Sequence, residues 1–395
     1  MYELLIKGGI VIDPAQRIHD QRDIGVSQGK IVAWADDIPQ SQAKRVIHAM
    51  GKIVTPGLID LHAHVADGII NGATSPDEIG VLTGVTTACD AGSTGYANFN
   101  GFKRFVIPKT RTDIFCFLHM CSVGEAVLPE IWNWQNIDPV AMLKTIEENR
   151  DLIRGIKLRA TGALMQNLGV EVIRVAKKLS SEAKLPLMVH IGIDAGETVS
   201  KDIINVFMRE LLVLLEWGDI LTHVFTPKPG GVISPDGSVL PEFKEARQRG
   251  VVLDAAPGRY NWNFEIARKG LEMNILPTTI GTDLFLTNIN GPVFSLPVTM
   301  SRFLAVGLTL DQLIEMTTVN PARVLGEKHR RGSLEIGMPA DVSVLEVVEG
   351  DFLFADGIAG KTFKGSHLLV PKLTLKSGTK IQTQPRFKQA EGAYA

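Results

Sequence analysis

The chain has 395 residues, 45% of them hydrophobic, enough to bury a large core in two domains or in one barrel with an addition. Its 41 basic and 43 acidic residues are well mixed and leave a formal net charge of −2, with no basic stripe, which argues against nucleic acid. Cys89, Cys116 and Cys121 are too few and scattered for a disulfide framework, no apolar run is long enough for a membrane, and "MYELLIKGGIVIDP" lacks the build of a signal peptide, so the expected compartment is the cytoplasm.

Residues 1–56 read as short strands separated by turns, with Gly8-Gly9, Gln28-Gly29 and Met50-Gly51 as turn positions and no helical periodicity. The far end, "GSLEIGMPADVSVLEV" and "FKGSHLLVPKLTLKSGTKI", has the same glycine-punctuated β texture. The two segments, 1–56 and 331–395, are expected to pair into one small β-sandwich, since each alone is too short to bury a core. The last stretch, 384–395, is polar and expected to fray.

Between them, in 57–330, β-branched runs alternate with helical stretches. Strands are expected at 53–61, 84–92, 113–121, 154–162, 185–192, 219–225, 250–256 and 277–283. The stretches "VAMLKTIEENRDLI", "VEVIRVAKKLSSEAK" and "KDIINVFMRELLVLLEWG" carry apolar residues at helical spacing. Repeated strand–helix alternation predicts an α/β fold, a parallel (β/α)8 TIM barrel. An open doubly wound sheet would want a glycine-rich phosphate turn after its first strand, and none is present.

Barrel active sites form at the C-terminal ends of the strands. The first strand runs into His62 and His64, the fourth carries Lys157, and the fifth, sixth and eighth end in His190, His223 and Asp283. Residues two apart on a strand face the same way, so His62 and His64 enter the mouth together. Any one of these is ordinarily a packed core histidine or a salt-bridged lysine. Four histidines and a carboxylate at one mouth instead describe a nitrogen- and oxygen-ligated divalent metal site, suited to zinc.

These residues carry a resemblance. "VTPGLIDLHAHV", "GIKLRA", "MVHIG", "LTHVF", "GTDLF" and the closing "NPARVLG…RRGSLEIGMPADVSVLE" occur in the order of the amidohydrolase superfamily, and "GIKLR" with Asn290-Gly291-Pro292 looks closest to its dihydroorotase-like deacetylase group. The resemblance implies two divalent metal ions: His62, His64 and Asp283 on one, His190 and His223 on the other. It further implies that Lys157 is carboxylated and bridges them, that a bridging hydroxide attacks a carbonyl, and that Asp283 shuttles the proton to the leaving group. A mononuclear deaminase would want a glutamate soon after the fifth-strand histidine, where Ile191-Gly192-Ile193-Asp194 stands, and tends to lack the lysine. A non-catalytic scaffold would have lost ligands, and all six are present.

Substrate is less legible. Dihydroorotases place an arginine shortly after the paired histidines, and Val65-Ala66-Asp67-Gly68 offers none. Arg159, on the face of Lys157, and Arg259, in the loop after the seventh strand, are candidate partners for a substrate carboxylate. Close relatives tend to carry His-Gly where Pro257-Gly258 stands, and Tyr260 and Trp262 suggest an aromatic pocket wall. His119, ending the third strand, could donate to a substrate oxygen, and Asn290 is a further substrate candidate. The expected partner is a small molecule carrying a carboxylate, an N-acyl amino acid or O-acyl hydroxy acid, with a hydantoin-like cyclic amide as the alternative. A homo-oligomer is expected, with no membrane partner.

Overall fold

The computed structural model describes residues 1–194 and 196–388. Its strands are β1 (Leu4–Asp13), β2 (Ile18–Ser27), β3 (Lys30–Ala35), β4 (Val46–His48), β5 (Ile53–Pro56), β6 (Leu58–Ala63), β7 (Val85–Asp90), β8 (Asp113–His119), β9 (Ile153–Arg159), β10 (Leu187–His190), β11 (Ile220–Thr222), β12 (Val252–Asp254), β13 (Val342–Ala355), β14 (Thr362–Lys376) and β15 (Thr379–Gln382). They form two sheets in a mixed α/β fold.

Both chain ends share the first sheet, in the order β15-β14-β13-β5-β1-β2-β3, with β4 also on β1. The seam between them is the antiparallel β5–β13 pair, Ile53 to Pro56 against Leu345 to Val342. Ile6, Val11, Ile24, Val26 and Val54 from one end pack with Val342, Val344, Leu373 and Leu375 from the other. Gln28 and Gly29 lie at positive φ between β2 and β3, as a tight hairpin requires, but Gly8 lies inside β1, where the β1–β2 register shifts. That glycine pair makes a bulge, not a turn.

The second sheet is parallel and curled, in the order β6-β7-β8-β9-β10-β11-β12. Helices such as Glu171–Ala183 and Lys201–Leu214 lie between its strands, capped at the second by Ser200 accepting from the Ile203 N–H. The expected eighth strand over 277–283 is not a regular strand. Isolated parallel bridges, Asp254 with Thr279 inside that stretch and Ala63 with Leu284 just beyond it, join β12 to β6 instead.

The expected strand 53–61 is two strands, divided at Gly57. A Cβ there would lie 2.2 Å from Thr86 Oγ1, so only glycine lets the chain step from one sheet to the other. The expected frayed end is also corrected over residues 384–388: Gln384 N–H donates to Leu82 O at 2.7 Å, and the Phe387 ring packs near Phe294, Phe352 and Phe354. The remainder of that expectation, 389–395, lies outside the described residues. Among the described residues no helix is long and apolar enough to cross a membrane.

Candidate active site

The C-terminal ends of the parallel strands bring together the six residues expected there. β6 carries a register irregularity between Asp60 and Ala63 and ends among His62 and His64, both buried. Asp283 sits across from them, its Oδ1 3.6 Å from His62 Nε2 and 3.4 Å from His64 Nε2. Lys157, fully buried on β9, reaches to 3.2 Å from His62 Nε2. His223 Nε2 is 2.8 Å from His190 Nδ1, and the His62 and His223 ring centroids are 5.0 Å apart.

Which nitrogen each imidazole offers is set by what holds the other. His62 Nδ1 lies 2.9 Å from Thr222 Oγ1 and 3.2 Å from Asp254 Oδ2. His64 Nδ1 lies 3.0 Å from Ser93 Oγ, with Glu125 at 3.6 Å. His223 Nδ1 donates to Ala256 O at 2.7 Å. All three therefore turn Nε2 inward, the arrangement that outer hydrogen bonds impose on metal-binding histidines. Asp254 is itself held by Thr222, Thr279 and the Gly281 N–H.

A donor set can be tested against an ion. Two ligands on one tetrahedral zinc, at about 2.0–2.1 Å each, lie about 3.4 Å from each other. The His62–Asp283 and His64–Asp283 separations match that spacing, and the ligand atoms of the three residues all lie within 4.8 Å of one another. His190 Nε2 is buried without a hydrogen-bond partner. Burial, with His223 next to it, holds His190 well below the usual histidine range, and burial pushes His223 down to about 3 against the pull of Asp283. Both rings are neutral, the form that can ligate. The residues fit a divalent ion.

Backbone strain and missing side chains shape the mouth. His223 and Asp283 have φ of 70° and 56°, left-handed values that cost a non-glycine residue roughly 1–3 kcal/mol. Their amides are tied across strands, His223 N–H to Asp254 O at 2.9 Å and Asp283 N–H to His62 O at 2.7 Å. A Cβ on Gly92 would lie 2.5 Å from Lys157 Cγ, one on Gly258 2.2 Å from Asp283 Oδ2, and one on Gly281 2.4 Å from His62 Cβ. Three glycines thus leave room for three of the converging side chains. Gly281→Ala is expected to destabilise the fold by roughly 1–3 kcal/mol, the usual cost of overpacking, and to lower metal retention by displacing His62. Thermal unfolding and metal analysis read both; an unchanged melting temperature would show that the contact is harmless.

The expected substrate residues are placed less uniformly. Arg159 does share the face of Lys157, but Glu130 and Asp194 already occupy its two terminal nitrogens, and Lys228 joins Asp194 at 2.7 Å. As a carboxylate anchor it is therefore largely spent. Arg259 follows Gly258 and stacks over the Tyr260 ring, 5.1 Å from its centroid. Trp262 is fully buried against Phe225, Phe264 and Phe303, so it belongs to the core, whereas Tyr260 is half-exposed. Asn290 is exposed on its loop; Asn288 does the anchoring there, donating to Asp283 O at 2.9 Å. His119 is buried, with a ring nitrogen that has no partner.

Several residues of the site escaped sequence reasoning. Glu130 and Asp194 sit in loops and Glu125 in the one-turn helix Gly124–Ala126, where periodicity says nothing about their neighbours. Asn261, whose Nδ2 donates to Asp283 Oδ2 at 3.3 Å, lies in a loop as well. Asp254 was findable, because it ends β12 as the histidines end their strands.

The chain is similar to a deacetylase of Agrobacterium fabrum, 32% identical over 331 residues, which are 83% of this chain and 79% of that protein. It is equally similar to a deacetylase of Enterococcus faecalis, 32% identical over 350 residues, 88% of this chain and 90% of that one. A crystal structure described as an adenine deaminase superposes with a TM-score of 0.86 at 30% identity, covering 97% of this chain and 100% of the other. Another, described as a dihydroorotase, gives 0.84 at 28% identity with the same coverage. Since residues 53–380 match the amidohydrolase family model and relatives at 30% identity or more span most of its length, the chain belongs to the amidohydrolase family.

Proposed function

We propose that this protein is a metal-dependent deacylase, hydrolysing the acyl amide or ester of a small molecule that carries a carboxylate. The observation that supports it most is the convergence of His62, His64, Lys157, His190, His223 and Asp283, with histidine tautomers set by outer hydrogen bonds. The relatives named deacetylase favour a linear acyl group over a cyclic amide. We read the sheets as a (β/α)8 barrel over residues 57–330 beside a β-sandwich domain of 1–56 and 331–395.

In this reading His62, His64 and Asp283 would hold one divalent ion, zinc by its nitrogen-rich donors, and His190 and His223 would hold a second, with Lys157, once carboxylated, as a further ligand. Bound ions supply Lewis acidity and bring a water's pKa from 15.7 down to about 7. The chain's own contribution is position and proton transfer. Asp283 takes the proton of the attacking water and returns it to the leaving nitrogen or oxygen. Asn261 fixes its outer oxygen and Asn288 its backbone while it does so. Lys157, kept in its place by the gap at Gly92, has its amine lowered by burial toward the neutral form.

The test is a screen of the zinc-loaded protein on N-acyl amino acids, O-acyl hydroxy acids, hydantoin-like imides and adenine, the last because of the solved structure described as an adenine deaminase. Turnover confined to imides or to adenine would refute deacylation. About two ions per chain are expected, against one for a deaminase.

Arg259 is taken as the carboxylate anchor for its place, next to Gly258, where a Cβ would lie 2.2 Å from Asp283 Oδ2, while Arg159 is ion-paired with Glu130 and Asp194. Arg259→Met should reduce the preference for the carboxylate substrate over its methyl ester by roughly 1.5–3 kcal/mol, the scale of a hydrogen bond to a charged group. Arg159→Met should leave that ratio nearly unchanged. Equal ratios in both variants and the parent would mean that neither arginine binds the carboxylate.

A further inference from the structure

We propose that His119 donates a hydrogen bond, through Nε2–H, to the acyl oxygen of the substrate. The inference rests on the deacylation reading and adds to it a catalytic residue that stabilises charge on the oxygen of the carbonyl under attack.

The tautomer follows from one contact. The Cys121 backbone N–H approaches His119 Nδ1 at 2.9 Å. A backbone amide can only donate, so Nδ1 must present its lone pair. In the neutral ring the proton is then on Nε2. A ring whose Nδ1 accepts from an amide cannot be the doubly protonated imidazolium, so it is neutral. Nε2 is therefore an N–H donor, fully buried, and no described residue accepts from it. A buried donor left without an acceptor is costly, and proteins seldom carry one without use.

Its place says what it is for. His119 is the last residue of β8 and is the register partner of Lys157 on β9. Partners on adjacent strands share a face, and Lys157 on that face runs to His62 Nε2. The absent side chain of Gly92 opens the space between them: a Cβ there would meet Lys157 Cγ at 2.5 Å and His119 Cδ2, the atom bonded to Nε2, at 3.2 Å. The ring thus shares its face and the space left by Gly92 with Lys157, and its Nε2–H is fixed before any ligand arrives. A donor that needs no reorganisation binds the oxygen more strongly as it gains negative charge, so it favours the transition state over the ground state.

Ring ¹⁵N NMR of the zinc-loaded protein tests the tautomer without substrate, with the His119 signals assigned by their loss in His119→Phe. A proton on Nε2 alone is expected; a proton on Nδ1, or on both nitrogens, overturns the proposal. In turnover, His119→Phe should lower kcat by about 10²–10³-fold, as removal of one such donor does, with a smaller change in KM and unchanged zinc content. His119→Gln, which can place an amide N–H near the same point, should recover part of the loss. Loss of zinc in step with activity would assign the donor to carboxylated Lys157 and overturn the substrate role, as would an unchanged kcat. The same kcat loss on a cyclic imide, with no acyl substrate turned over, would refute deacylation and leave His119 as the carbonyl donor.

Discussion

Asp283→Asn should keep the fold and lower kcat by about 10²–10⁴-fold, the usual contribution of a positioned general acid–base group. The substitution is nearly isosteric, so the hydrogen bonds from Asn261 and Asn288 have little reason to move the backbone. What it removes is a carboxylate whose Oδ1 faces His62 and His64 and whose Oδ2 has room only because residue 258 is glycine. Burial pushes that carboxyl up, but the hydrogen bond with His64 and the neighbouring histidines hold it well below the usual carboxylate range. It is an ionised acceptor at working pH, and asparagine is not. Circular dichroism and metal content separate loss of the proton carrier from loss of the site. Near-normal kcat with metal retained would end the shuttle role, and a parallel loss of metal would recast Asp283 as a ligand first.

Most residues that the sequence made legible share one property: each stands at or near the end of an apolar, strand-like run, so the barrel rule alone carries it to the mouth. His62, His64, His190 and His223 satisfy it; Lys157 lies inside β9, two residues before its end, and was legible as a lysine in a strand among the others. Asp283 was reached by the same rule although its stretch forms only isolated bridges, because "GTD" follows apolar residues as a strand end would. The break at Gly57 was hidden, since both sheets bury their strands and "IVTPGLIDL" reads as one apolar run. The partners of Arg159 were hidden for another reason. Glu130 and Asp194 lie 29 and 35 residues from it in loops, and only the folded chain shows that they neutralise the guanidinium a substrate would need. Tautomers were out of reach as well, because they depend on single contacts such as the Cys121 amide on His119.

Lys157 carries the second large effect. Lys157→Ala is expected to lose most bound metal and most activity, and a short carboxylic acid supplied with bicarbonate should restore part of both. The reasoning begins with charge. An ammonium repels a cation, yet this nitrogen lies 3.2 Å from His62 Nε2, among the residues proposed to hold the ion. Burial lowers its pKa, outweighing the pull of Glu125 and Asp283, which raises the neutral fraction of the amine. A neutral amine can attack CO₂: the N–C bond forms, a proton leaves the nitrogen, and the side chain becomes an anion with two oxygens. Such an anion can lie between two ions where an ammonium cannot. The alanine variant also empties the space filled by the lysine stem, and truncating a large buried side chain costs roughly 2–5 kcal/mol. Lys157→Met separates the two effects, because it keeps the stem volume against Met188 and the gap at Gly92 while removing the nitrogen. The methionine variant should melt close to the parent measured without metal and still fail to retain two ions. If it kept full metal and full rate, Lys157 would be a packing residue and the bridge would have to come from elsewhere.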